Sequence, residues 1–136
     1  LVFRIIKEVI SMKIPTICDY CGGKVIFTDS AIVYHGKSYG NIYYCTNCGA
    51  YVGVHDGTQK PLGTLANAAL RSKRREAHNA FDPLWRKKGL KRSEAYHWLA
   101  KKMKLPDYRT HIAQFTMAQC QEVIEICNEE MKKEAA

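Results

Sequence analysis

Hydrophobic and polar positions change rhythm once along the chain. Before residue 63 the pattern favours short strands. Residues 24–28 and 31–35 are β-rich runs, with Thr28-Asp29-Ser30 as a turn between them. His35-Gly36-Lys37-Ser38-Tyr39-Gly40 is a glycine-flanked loop, residues 41–44 lead a third strand, and residues 50–54 read as a fourth. Residues 55–63 hold Gly57, Pro61 and Gly63 and read as a connector. After it the period becomes helical: Ala66, Leu70, Ala77, Phe81 and Leu84 fall on one apolar stripe. Asp82-Pro83 suits an N-cap followed by a first helical position, so one helix is predicted to end near Phe81 and a short one to carry Leu84 and Trp85 as far as Gly89. Ser93 is the expected cap of the next helix, with Ala95, Tyr96, Leu99 and Met103 inward and Pro106 as its stop. Thr116-Met-Ala-Gln119 has the form of a capping box for a last helix reaching about Lys133. The chain shows no internal repeat and no low-complexity segment.

Residues 1–11 stand apart. They are apolar but interrupted by Arg4, Lys7 and Glu8, and lack the clear basic start, unbroken apolar stretch and cleavage site of a signal peptide. Lys7-Glu8-Val9 is what a bacterial ribosome-binding purine run encodes when read in frame, and Met12 follows at a start-codon distance. Residues 1–11 are therefore read as a translated leader, with a short N-terminal helix or strand as the alternative.

The cysteines add chemistry to the first half. Cys18-Asp-Tyr-Cys21 and Cys45-Thr-Asn-Cys48 are two CxxC pairs, each followed by a glycine, Gly22 and Gly49. A CxxC-Gly turn points two thiolates at one ion, and glycine accepts the positive φ that so tight a turn tends to need. Two such turns supply four thiolates, the ligand set of a tetrahedral structural Zn²⁺ site. Three other readings compete. Disulfides need an oxidising compartment; an iron site uses the same two knuckles and would be coloured; a catalytic zinc needs an open position that four thiolates do not leave. His35 and His55 are then loop or surface residues. Cys120 and Cys127 lie seven apart among Met117, Val123, Ile124 and Met131, on one helix face, and read as small buried hydrophobes, with a redox pair as the alternative.

Composition bounds the class. The chain has 136 residues, 46% hydrophobic and 25% charged, which is globular and not disordered. No apolar run approaches the ~18 residues of a membrane span. The formal net charge of +8 is unevenly placed. Residues 12–59 have three basic and three acidic side chains, residues 60–109 have fourteen and four, and residues 110–136 have two and five. Arg71, Arg74, Arg75 and His78 share a helix face opposite the apolar stripe. Arg86, Lys87, Lys88, Lys91 and Arg92 flank the turn at Gly89, and Lys101, Lys102 and Lys104 follow. Clustered cations on helices are the electrostatic footprint of phosphate-backbone binding, although charge runs are more usually a solvated face. Six of the eight tyrosines, Tyr20, Tyr34, Tyr39, Tyr43, Tyr44 and Tyr51, fall in the first half. Packing is the favoured role, with stacking on unpaired bases open to any exposed beside Lys37.

Residues 18–126 resemble an uncharacterised zinc-finger-containing domain family of phages, prophages and their bacterial hosts. The resemblance rests on Cys18-Asp-Tyr-Cys21-Gly22, Tyr39-Gly40, Cys45-Thr-Asn-Cys48 and the connector Gly53-Val-His55-Asp-Gly57-Thr58-Gln-Lys60-Pro61-Leu62-Gly63. It continues through Ala77-His78, Phe81-Asp82-Pro83-Leu84-Trp85, Arg92-Ser93-Glu94-Ala95-Tyr96 and Trp98-Leu99. It implies a bound zinc and a mobile-element origin, and no particular reaction.

The expected fold is α+β. It has residues 1–11 as leader or flexible N-terminus, a zinc ribbon of three to four short antiparallel strands over residues 12–56, a connector over 57–63, and a basic bundle of three to four helices over 64–136 packed on the ribbon. The expected metal ligands are Cys18, Cys21, Cys45 and Cys48, holding one structural Zn²⁺. The expected function is that of a nucleic-acid-binding accessory protein, DNA or RNA, in a bacterial or phage-infected cytoplasm with no membrane partner. Lys60, Arg71, Arg74, Arg75, Lys87, Lys88, Lys91 and Arg92 are its candidate phosphate contacts. The alternative is an adaptor for a host or phage protein, its acidic last helix (Glu122, Glu125, Glu129, Glu130) meeting a basic surface. A small metal-dependent nuclease comes third: residues 22–44 hold only Asp29 and His35, and His78, His97 and His111 have no evident acid–base partner set, so no catalytic residue is expected.

Overall fold

A computed structural model describes residues 13–135. The leader assigned to residues 1–11 and the start at Met12 lie outside the described residues. The chain divides into two compact units, Leu1–Ala68 and Ala69–Ala136.

The first unit is built on a three-stranded antiparallel sheet, β1 (Val25–Asp29), β2 (Asn41–Cys45) and β3 (Tyr51–Gly53), in that spatial order. Val25 pairs with Cys45 and Asp29 with Asn41; Ile42 pairs with Gly53 and Tyr44 with Tyr51. Alternation directs Val25, Tyr43, Cys45 and Val52 into a small core with Cys18, Ala50 and Leu65. Tyr43 is buried because its hydroxyl has a partner, donating to the Gln59 carbonyl at 2.7 Å.

The strand expected over residues 31–35 does not form. The Asp29 carboxylate accepts the Ala31 N–H at 2.8 Å and caps a 3₁₀ turn, Ser30–Ile32, which carries the chain out of the sheet. β-Branched residues form strands only where a neighbour offers a ladder. The connector is an ordered hairpin: Val54 bridges Pro61, and the His55 N–H donates to the Lys60 carbonyl at 3.0 Å. Ala66, read as part of the helical stripe, instead pairs with Tyr51 through two 3.1 Å backbone bonds.

The second unit holds three helices, α1 (Ala68–Lys87), α2 (Arg92–Met103) and α3 (Met117–Ala135). They share one core containing Phe81, Leu84, Tyr96, Leu99, Phe115 and Val123. Where two helices were expected, α1 runs unbroken through Pro83. Pro83 removes one backbone donor, at a cost of about 3 kcal/mol in a helix interior. Continuing the helix seats Leu84 in the core and Trp85 against it. Asp82 does not cap a new helix; its carboxylate accepts the Trp85 indole N–H at 3.1 Å. Helix α2 starts at Arg92 rather than after Ser93, because the Glu94 carboxylate accepts the Lys91 N–H at 2.8 Å. It ends when Lys104 turns left-handed (φ 58°), two residues before Pro106. The Thr116–Gln119 box closes as read: the Gln119 N–H donates to Thr116 Oγ1 at 3.2 Å and the Thr116 N–H to Gln119 Oε1 at 3.0 Å. Cys120 and Cys127 are fully buried on the inner face of α3, as their spacing predicts.

Candidate metal centre

The two CxxC turns fold in parallel. In the first, the Gly22 N–H donates to the Cys18 carbonyl at 2.9 Å and the Cys18 N–H to the Gly23 carbonyl at 2.9 Å. In the second, Gly49 donates to Cys45 at 3.1 Å and Cys45 to Ala50 at 2.8 Å. Gly22 and Gly49 take φ of +73° and +82°, the left-handed conformation that glycine adopts without strain. Each turn leaves its first cysteine buried and its second exposed.

The four Sγ atoms lie within 4.8 Å of one another, the one such ligand cluster among the described residues. Cys18 and Cys48 are 3.6 Å apart and Cys21 and Cys45 3.4 Å. Tetrahedral zinc with Zn–S bonds of ~2.3 Å sets sulfurs at about 3.8 Å from one another. The cluster therefore fits one Zn²⁺. Backbone amides converge on the sulfurs: Tyr20 on Cys18 at 3.4 Å, Gly23 on Cys21 at 3.3 Å, Cys48 on Cys45 at 3.4 Å. Such second-layer donors stabilise thiolates and orient them.

The electrostatics call for a cation. The Cys48 N–H, with the Asn47 N–H and neighbouring thiols, brings Cys45 down to about 6. Asn47 and the Gly23 N–H also hold Cys21 below the ordinary thiol value. At Cys48 the Ala50 N–H acts downward, but partial desolvation of the sulfur and the thiols of Cys18, Cys21 and Cys45 prevail and push it up to about 12. Four sulfurs this close do not all ionise unaided, and a divalent ion removes that conflict. With four protein thiolates the coordination sphere is closed, so the site is structural: zinc would tie the two turns together and contribute folding energy.

Gly23 is the member of this site that sequence reasoning missed. A Cβ there would stand 2.8 Å from Asn47 Cβ, 3.0 Å from Cys45 Sγ and 3.1 Å from Cys21 Sγ. The signal available was the doubled glycine after Cys21, against Gly49-Ala50 after Cys48.

The candidate phosphate contacts divide into two groups. Arg75, Lys87, Lys91 and Arg92 of the helical unit, and Lys60 on the ribbon hairpin, are exposed, while Arg71 is half-buried. Arg74 is committed internally: its Nε and Nη2 donate to the Phe115 carbonyl at 3.2 and 3.1 Å. Lys88 pairs with Glu130 at 3.3 Å and Glu134 at 3.1 Å, and these carboxylates hold its ammonium above the usual lysine range. Lys73 likewise meets Glu76 at 3.5 Å. Among the described residues no helix is long and apolar enough to cross a membrane.

No curated protein and no solved structure matches the chain. A family model described as a zinc-finger-containing domain matches residues 14–130, which include both cysteine pairs and nearly all of the helical unit. The match over most of the chain, with the four-cysteine geometry that accords with it, places this protein in the zinc-finger-containing domain family.

Proposed function

We propose that this protein is a nucleic-acid-binding accessory factor in which zinc holds the ribbon and the helical unit grips phosphates. One observation carries the reading. The internal carboxylates of the helical unit are drawn to Lys73, Lys88, His78 and His97, and leave Arg75, Arg86, Lys87, Lys91, Lys101, Lys102 and Lys104 without a carboxylate partner among the described residues. Arginines and lysines left exposed in this number repel one another, and a polyanion relieves that repulsion. Arg75, Lys87, Lys91 and Arg92 are the proposed contacts, with Arg71 beside them and Lys60 on the ribbon; Arg74 and Lys88 act within the bundle. The motif resemblance supports a phage or prophage setting in a bacterial cytoplasm, where a host or phage protein is a further partner.

The test is affinity against salt, read by anisotropy of a labelled oligonucleotide. Neutralising four phosphates gives a slope of about −3 to −4 in log affinity against log salt. The double variant Arg75→Glu, Lys87→Glu should lower that slope by about one per lost contact while keeping one zinc per chain. A flat salt dependence, or no binding to DNA or RNA at low salt, refutes the proposal. A protein partner that survives nuclease treatment under those conditions would establish the adaptor reading instead.

A further inference from the structure

We infer that the loop between β1 and β2 is a base-stacking site for single-stranded nucleic acid, an inference that rests on the nucleic-acid reading above and assigns it a second surface. The loop is strongly organised. Asp29 accepts both the Ala31 N–H and the Ser38 hydroxyl at 2.8 Å. Ser30, almost fully buried, accepts the Tyr39 N–H at 2.7 Å, and its own N–H donates to the Gly40 carbonyl at 2.8 Å. His35 takes φ of +54°, a left-handed conformation that costs a non-glycine residue free energy.

This order serves no core. Tyr39 is 64% exposed and Tyr34 42%, and neither belongs to the ribbon's buried cluster. Packing would have turned these rings inward, as it does Tyr43. Instead the loop displays them side by side: Tyr34 and Tyr39 are 5.0 Å apart edge to face, with Tyr51 beyond Tyr34 at 6.3 Å. Lys37 Nζ lies 5.5 Å from the Tyr39 ring centre. Among the described residues it has no carboxylate partner, since Asp29 is held by Ala31 and Ser38.

Exposed aromatic rings beside an unpaired cation match a nucleotide, whose base stacks on a ring and whose phosphate meets the ammonium. Duplexes keep their bases covered, so the occupant is a single strand. The ribbon has no excess of basic over acidic side chains, so stacking supplies most of this contact and Lys37 a single charge, unlike the cationic helices.

The experiment uses the full zinc-loaded chain and three labelled probes of equal length: oligo(dT), oligo(U) and a duplex. Tyr39→Ala should weaken single-strand binding about tenfold, leave duplex binding unchanged and leave the salt slope unchanged. Tyr39→Trp should restore affinity. The first two probes separate DNA from RNA as the source of the bases. Unchanged single-strand affinity in both Tyr39→Ala and Tyr34→Ala overturns the inference. If the salt slope still responds to Arg75→Glu, Lys87→Glu in that case, only the loop assignment fails. If no probe binds the wild-type chain, both assignments fail. Loss of a nuclease-resistant protein complex in Tyr39→Ala, with strand binding intact, would overturn it in favour of protein docking.

Discussion

Gly22 and Gly23 are adjacent in sequence and predicted to fail by opposite mechanisms. Gly22 needs its positive φ, but an added Cβ would meet nothing within 4 Å. Gly22→Ala therefore costs only left-handed strain, about 1–2 kcal/mol, and Gly22→Asn, whose side chain tolerates that conformation, should behave close to wild type. At Gly23 the obstacle is space. Its Cβ would stand 2.8–3.1 Å from Asn47 Cβ and the sulfurs of Cys45 and Cys21, where carbon contacts normally begin at about 3.5 Å. None of these atoms yields easily, because a Cβ moves only with its backbone and the sulfurs are held at ligand positions. Overpacking of this kind costs about 1–3 kcal/mol. Falling on the metal-binding geometry, that is a loss of about 5–150-fold in zinc affinity. Competition with a chromophoric chelator at neutral pH measures it, with helical circular dichroism as an internal control, since the helices have their own core. The expected order is wild type, Gly22→Asn, Gly22→Ala, Gly23→Ala and, weakest, Gly23→Asn. Zinc affinity in Gly23→Ala equal to wild type, or lower in Gly22→Asn than in Gly23→Ala, would refute the packing argument.

Two further outcomes follow from the helical unit. Arg74→Ala removes two charged donors from the Phe115 carbonyl and should lower urea stability by about 1.5–3 kcal/mol, while Arg75→Ala stays within about 0.5 kcal/mol; equal effects would show that the Arg74 contact carries no weight. Burial pushes Cys127 from 9.0 up to about 12 and raises Cys120 too, so the folded unit keeps these thiol protons to higher pH than the unfolded chain. Their contribution is whole below the unfolded value and is lost as pH rises from about 9 toward 12. Thermal melts of the unit should fall across that range, less steeply in Cys127→Ala, and identical slopes would sink the assignment.

The reading from sequence succeeded where the chemistry is local. A CxxC-Gly turn contains its own two ligands and its own conformational requirement, so Cys18, Cys21, Cys45 and Cys48 were legible before any contact was known. The same holds for the Thr116–Gln119 box, whose hydrogen bonds join residues three apart, and for Cys120 and Cys127, placed by helical period alone. Four features needed the tertiary structure. Residues 31–35 have strand-forming side chains, but Asp29 caps a turn and no ladder is offered to them. Pro83 sits inside a helix because Leu84 and Trp85 gain more from core packing than one backbone bond is worth. Ala66 fits a helical stripe by spacing, yet pairs with Tyr51 fifteen residues away. Arg74 and Lys88 look like their neighbours in a charge count, and only the Phe115 carbonyl and the Glu130 and Glu134 carboxylates, about forty residues distant, engage them. Motif spacing thus determined the metal ligands and the sign of the charge. Which cations and which tyrosines remain available to a partner was decided by long-range contacts, because availability depends on what folding brings beside a side chain.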